Sequence, residues 1–188
     1  MRLFAALPVE PPAAAELATL LGTLRASGWP VRWARPEGLH LTMKFFGETD
    51  ATRVEAIEQM LEVAARGTGS LSCGPVELGA FPGWARARVL WAGYEGESAL
   101  ELLVHRVEQG AERLGFPVEG RPFRPHVTLG RLREGAHLPD AALERLEGHR
   151  LQDGFVARRL VLYRSDTAPG GAIYAPIRTF DLEGRCAG

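Results

Sequence analysis

Apolar residues along this chain recur with two periods, and the switches between them predict the elements. The opening run Met-Arg-Leu-Phe-Ala-Ala-Leu meets Pro8, Glu10, Pro11 and Pro12 where a secretory leader would still need apolar length, so it reads as a first strand. Leu17, Leu20, Leu21 and Leu24 then fall at helical spacing and stop at Gly28 and Pro30. Residues 31–34 and 40–46 alternate on either side of Arg35-Pro36-Glu37-Gly38 and are expected to form a hairpin. Asp50 is placed to cap a second helix carrying Val54, Ile57, Leu61 and Ala64 on one face. Strands are expected at 71–73, 76–81 and 89–93. The third helix has the clearest stripe, from Leu100, Leu103, Val104, Val107, Ala111 and Leu114, with Gly115 at its end. A strand at 126–132, a short helix at 140–146 and strands at 155–164 and 173–182 complete the pattern.

Helices interspersed among antiparallel-looking strands argue an α+β fold. No low-complexity linker divides the chain, so residues 1–188 are expected to form one domain. A faint repeat crosses it: His40-Leu41-Thr42-Met43 and His126-Val127-Thr128-Leu129 each follow a Pro-containing turn and each open a predicted strand. Two similar lobes facing each other are the economical reading.

Composition removes several function classes. Twenty-two Lys+Arg stand against 23 Asp+Glu, a net charge of −1, so general polyanion binding is not expected and any nucleic-acid contact must be local. Cys73 and Cys186 have neither zinc-finger nor CxxC spacing, so neither a disulfide scaffold nor a zinc module is indicated, and a reducing compartment fits best. The longest uncharged stretch, 167–177, is too short for the roughly 20 residues of a membrane span. A cytoplasmic protein with no membrane association is expected.

The chemistry lies in the repeat. Side chains alternate along a strand, so His40 and Thr42 share one face, as do His126 and Thr128. Each motif sets an imidazole that exchanges a proton near neutral pH beside a hydroxyl that donates to an anionic oxygen. Two such motifs supply an acid, a base and two donors, the set needed for in-line displacement at a phosphodiester. A metal site is poorly supported, because no Asp, Glu or third His stands at ligand spacing. His105, His137 and His149 lack partners and read as structural or solvated. The spacing of 86 residues between the motifs means that tertiary structure must assemble any joint site.

With their flanks, these motifs resemble the 2H phosphoesterase superfamily, and within it the bacterial and archaeal RNA 2′,3′-cyclic phosphodiesterases, also called 2′-5′ RNA ligase-like proteins. The resemblance rests on Arg2-Leu-Phe-Ala-Ala-Leu, Leu39-His-Leu-Thr-Met-Lys-Phe-Phe-Gly-Glu48, Arg121-Pro-Phe-Arg-Pro-His-Val-Thr-Leu-Gly-Arg131 and Leu162-Tyr-Arg-Ser165 followed by a Gly-rich hairpin. It implies a bilobal α+β fold of two antiparallel-sheet lobes with helices outside and the motif strands facing across a cleft. It also implies hydrolysis of RNA 2′,3′-cyclic phosphates to 2′-phosphates without metal or other cofactor. By resemblance His40 is the proton donor, His126 the proton acceptor, and Thr42 and Thr128 the phosphate-binding hydroxyls. The two motifs are chemically alike, so the residues themselves do not say which histidine is the acid.

Further substrate-binding candidates are Arg131, Phe123, Lys44 and Ser165. In a regular strand Arg131 points away from His126 and Thr128, and only a bulge or the cleft mouth brings it to substrate. Phe123 stands ready either to stack on a base or to pack. Lys44, the only lysine, shares the face of His40 and Thr42 in an ideal pleat. Ser165 matches a family serine. The expected partner is RNA or a nucleotide with a cyclic phosphate, and the expected state is a monomer. Two other readings use the same residues: a 2′-5′ RNA ligase running the reaction backwards, and an RNA- or nucleotide-binding module without turnover.

Overall fold

The structure is a computed structural model and describes residues 1–168 and 171–182, so Cys186 and the tip of the last hairpin lie outside the described residues. The strands are β1 (Arg2–Pro8), β2 (Val31–Trp33), β3 (His40–Glu48), β4 (Leu71–Phe81), β5 (Val89–Gly96), β6 (His126–Leu132), β7 (Phe155–Ala157), β8 (Arg159–Ala168) and β9 (Gly171–Asp181). The helices are α1 (Ala13–Arg25), α2 (Val54–Ala65), α3 (Ser98–Arg113) and α4 (Asp140–Leu146). The expected α+β architecture is borne out. Its two lobes are halves of one curled, nine-stranded sheet in the order β7-β4-β5-β6-β3-β1-β8-β9, with β2 also on β6. Every described pairing is antiparallel, and the halves join where Leu41 of β3 faces Val127 of β6.

The four described helices lie on one side of the sheet. Leu24 of α1 and Leu146 of α4 close on Leu78, Leu90 and Leu129 beneath the second half. Under the first half, Lys44 reaches Glu108 of α3, and Arg178 of β9 ties to Glu58 and Glu62 of α2. The two helices there approach closely because Gly110 of α3 has no side chain: a Cβ at that position stands 2.5 Å from Met60 of α2. Gly115 ends α3 at φ +79, a left-handed conformation that glycine adopts without steric cost. The face opposite the helices is left open.

Two expected pairings are corrected. Segments 31–34 and 40–46 form no hairpin: β2 and β3 both run antiparallel to β6, one after the other along it. Ala34 still donates to Leu129 O, and the chain then leaves the ladder through a single 3-10 turn at Pro36–Gly38 before returning. The stretch 155–164 is two strands, because Phe155–Ala157 pairs with β4 at one edge while Arg159–Ala168 pairs with β1 in the other half. One intervening residue spans at most about 7 Å between Cα atoms, so the sheet must curl to bring its β7 edge to the start of β8. Strands 71–73 and 76–81 merge into β4, whose pairing with β5 shifts register between Pro75 and Leu78.

Candidate active site

His40 and His126 open β3 and β6 in the middle of the sheet, and both face the open side. In antiparallel register about Leu41 and Val127, His40 lies toward Thr128 and Thr42 toward His126. Each motif's acid-base group is thus set against the other motif's hydroxyl. All four side chains are half-buried.

The histidines are held in matching ways. His40 Nδ1 is 2.7 Å from Gly38 O, and His126 Nδ1 is 2.7 Å from Arg124 O, in each case the carbonyl two residues upstream. A carbonyl only accepts, so each Nδ1 carries the proton, and Nε2 is the nitrogen left for exchange with a substrate. The excursion at Pro36–Gly38 therefore delivers the carbonyl that orients His40. Tyr174 packs against the bare Cα of Gly38, where a Cβ lies 3.0 Å from the ring.

Both imidazoles sit below the ordinary histidine pKa, first because burial disfavours their charged form. The upstream carbonyl offsets part of that effect in each case. The remaining influence differs. His40 is lowered by His126, whereas His126 is lowered by the guanidinium of Arg131.

Arg131 reaches this face through a bulge. Trp91 of β5 faces Thr128 and Leu90 faces Gly130, which leaves Leu129 without a partner on β5 and resets the alternation. Leu129 and Gly130 then both turn inward, and Arg131 comes out on the side of His126 and Thr128. Strand β3 contains the same device: Ala6 faces Thr42 and Ala5 faces Lys44, leaving Met43 over. Lys44 is thereby turned toward the helices, which corrects the expectation from an ideal pleat. It is 6% exposed and donates to Glu108 Oε2 at 2.7 Å and to Pro117 O at 2.6 Å. The position matching Arg131, five residues after the histidine, is Phe45, 64% exposed.

Of the other candidates, Phe123 packs on the hydrophobic core and contacts neither histidine ring. Ser165 faces Arg2 and Tyr174 at the rim of the open face, two residues beyond Tyr163. His105, His137 and His149 are exposed. Among the described residues, no group of three His, Cys, Asp or Glu side chains is gathered to hold a metal ion. No described helix is long and apolar enough to cross a membrane.

Sequence reasoning missed the aromatic walls. Phe4 at 4.7 Å, Tyr174 at 4.9 Å and Tyr163 at 6.1 Å between ring centroids surround His40. Phe81 at 5.1 Å and Trp91 at 6.1 Å flank His126. These rings pack around the imidazoles and contribute to the burial that lowers their pKa. The indole of Trp91 has room only because Gly79 faces it across the ladder: a Cβ there lies 2.1 Å from the ring. Phe4 and Tyr163 fall within motifs already singled out, and the alternation of β1 and β8 is the signal that puts them on the face of His40.

The chain is similar to known proteins over nearly its whole length. The family model for the 2′-5′ RNA ligase superfamily matches residues 10–169. A Methanothermobacter thermautotrophicus protein named RNA 2′,3′-cyclic phosphodiesterase is 28% identical over 184 residues, covering 97% of this chain and 99% of its own length. An Archaeoglobus fulgidus protein of the same name is 31% identical over 183 residues, covering 96% and 100%. The crystal structure of TT0787 of Thermus thermophilus superposes with TM-score 0.85 at 27% identity, covering 98% of this chain and all of that one. That of Escherichia coli LigT with 3′-AMP gives 0.71 at 27% identity, covering 96% and 97%. The resemblance carried by the two His-x-Thr motifs and their flanks is borne out, and the chain belongs to the 2′-5′ RNA ligase superfamily.

Proposed function

We propose that this protein is an RNA 2′,3′-cyclic phosphodiesterase that opens the cyclic phosphate to a 2′-phosphate by paired histidine acid-base catalysis, without metal. The full-length relatives that carry this name support the activity. The mechanism is carried by one observation: two imidazoles, each anchored through Nδ1, converge on one face with the other motif's threonine opposite.

The asymmetry in their surroundings supports the division of labour. Arg131 holds a permanent positive charge against His126 and favours its neutral form, as a base requires. The charge acting on His40 is that of His126 itself, and it vanishes when His126 is neutral. The charge of Arg131 thus biases the pair toward a neutral His126, with His40 as the proton donor. In the reaction His126 Nε2 takes a proton from water, the water oxygen bonds to phosphorus, the P–O3′ bond breaks, and His40 Nε2 delivers its proton to O3′. Thr42 and Thr128 donate to the non-bridging oxygens as negative charge grows on them. The proton gained by His126 and the one lost by His40 re-equilibrate with solvent.

The direct test is incubation with a short RNA ending in a 2′,3′-cyclic phosphate, in EDTA and without ATP, with the product identified by phosphorus NMR. The expected product is the 2′-phosphomonoester. Turnover only after addition of a divalent metal overturns the mechanism, and a predominantly 3′-phosphate product reverses the orientation of the substrate.

A further inference from the structure

Arg32 has no role in the reaction as derived above, yet its position is unusual. It stands directly across the β2–β6 ladder from Arg131, which places the two Cβ atoms about 5 Å apart on one face of the sheet. Its neighbours fix that face: Val31 is buried, and Trp33 packs on the core beneath the sheet. Both arginines are exposed, and among the described residues neither makes an ion pair or a side-chain hydrogen bond. Arg53, Arg159 and Arg178 are all tied to carbonyls or carboxylates. Like charges directly opposite each other destabilise a strand pair. A chain of net charge −1 with 23 acidic residues has carboxylates available to neutralise such a pair, and among the described residues none is placed there. An anion bridging the two guanidinium groups turns the repulsion into attraction.

The register says which anion. Thr128 lies in the row of Trp91 and Arg131 in the row of Val89, two residues or about 7 Å further along β5. His40 lies toward Thr128, so the backbone of the arginine pair lies beyond the proton-donor end of the site, while the guanidinium of Arg131 reaches close enough to lower the pKa of His126. The leaving O3′ and its nucleoside lie at that donor end, and the 5′ oxygen of the same ribose continues away from the reacting phosphorus. We infer that Arg32 and Arg131 form a second phosphate subsite, which takes the phosphate on the 5′ side of the reacting nucleotide, an assignment that rests on the hydrolase reading above. The protein then distinguishes an RNA end, which carries that phosphate, from a nucleoside 2′,3′-cyclic phosphate, which does not.

The test compares adenosine 2′,3′-cyclic phosphate with its 5′-phosphorylated form. The wild type is expected to favour the 5′-phosphorylated substrate in kcat/KM by roughly tenfold, the effect of one charge-assisted contact. Arg32→Gln is expected to collapse that ratio toward one, whereas Arg145→Gln, an equal charge change in the last turn of α4, preserves it. The salt dependence of kcat/KM for the phosphorylated substrate should also flatten by about 0.7 of a log unit per log unit of salt in Arg32→Gln. An unchanged ratio in Arg32→Gln, or no preference in the wild type, overturns the subsite. If neither compound is turned over, the hydrolase reading fails, and calorimetric titration with adenosine 2′-phosphate and adenosine 2′,5′-bisphosphate judges the subsite alone. Tighter binding of the bisphosphate by the wild type only supports it, and equal affinities overturn it.

Discussion

The two halves of the sheet use one backbone design for two different purposes. Each opens a strand with His-x-Thr, fixes the histidine through the carbonyl two residues upstream, and inserts a bulge after the threonine. The residue that the bulge brings out is Phe45 in the first half and Arg131 in the second. Around His40 the walls are Phe4, Tyr163 and Tyr174, with no permanent charge acting on the ring. Around His126 they are Phe81 and Trp91, with Arg131 depressing the ring's basicity. In the proposed mechanism a symmetric frame holds the phosphate, and the residue that differs at the bulge biases which histidine is neutral.

Removing the shared part of the design has the largest effect. His40→Ala and His126→Ala are each expected to lower kcat by roughly 10²–10⁴-fold, the contribution of a positioned acid or base, with little change in thermal stability. Thr42→Val and Thr128→Val remove one donor to the phosphate each and should cost about 10²-fold or less, because the second hydroxyl remains. Near-normal turnover in both histidine variants ends the acid-base reading and reduces the repeat to a structural one.

Altering the differing residue moves pH limbs and leaves the rate at the optimum less affected. In the free enzyme kcat/KM rises with pH as His126 loses its proton and falls as His40 loses its own. Both groups are lowered, so both limbs lie on the acid side of about 6.5, the ordinary histidine value. Arg131→Gln removes a charge that opposes protonation of His126, so its pKa rises and the acid limb moves to higher pH. Phe45→Arg places a cation in the matching position of the other half, lowers the pKa of His40 and moves the alkaline limb to lower pH. A profile measured from pH 4.5 to 9 for each variant decides this. Movement of the wrong limb, or of neither, rejects the assignment of base and acid.

The chemical groups of the site were legible in the sequence because histidine and threonine at a spacing of two must share a strand face wherever that strand goes. What the strand does three residues later was not. A bulge adds one residue without altering composition, so an ideal pleat put Lys44 on the open face and Arg131 off it, the reverse of what the structure has. Gly130 was the available clue, since a glycine inside a strand often marks a bulge. The hairpin at 31–46 failed because Pro36 and Gly38 mark a departure from the ladder equally well whether the chain reverses or, as here, rejoins the same partner. The stretch 155–164 is apolar on both sides of Arg158 and Arg159 and reads as one strand, and only the curl of the sheet reveals that it changes partner at Arg158. The aromatic walls come from strands brought together by topology, which local pattern does not encode.

The smallest effect on activity is expected at Lys44, which the bulge at Met43 turns away from the open face. Lys44 stands within hydrogen-bond distance of a carboxylate and a carbonyl on the helix side, with its side chain 5% and that of Glu108 18% exposed. Lys44→Met leaves the Glu108 carboxylate and the Pro117 carbonyl without their cation in a poorly hydrated place, at a cost of about 3 kcal/mol. For a chain of this length that lowers Tm by about 6–12 °C. Adding Glu108→Leu removes the stranded charge and should restore most of the loss, since a well-packed apolar pair replaces a buried ion pair at little cost. At 25 °C, where the single variant remains folded, kcat/KM should stay within about threefold of the wild type, because the lost charge lies on the far side of the sheet from the histidines. A hundredfold loss of kcat/KM with Tm unchanged gives the opposite answer: Lys44 then reaches the phosphate, and the bulge at Met43 is not what separates the two halves.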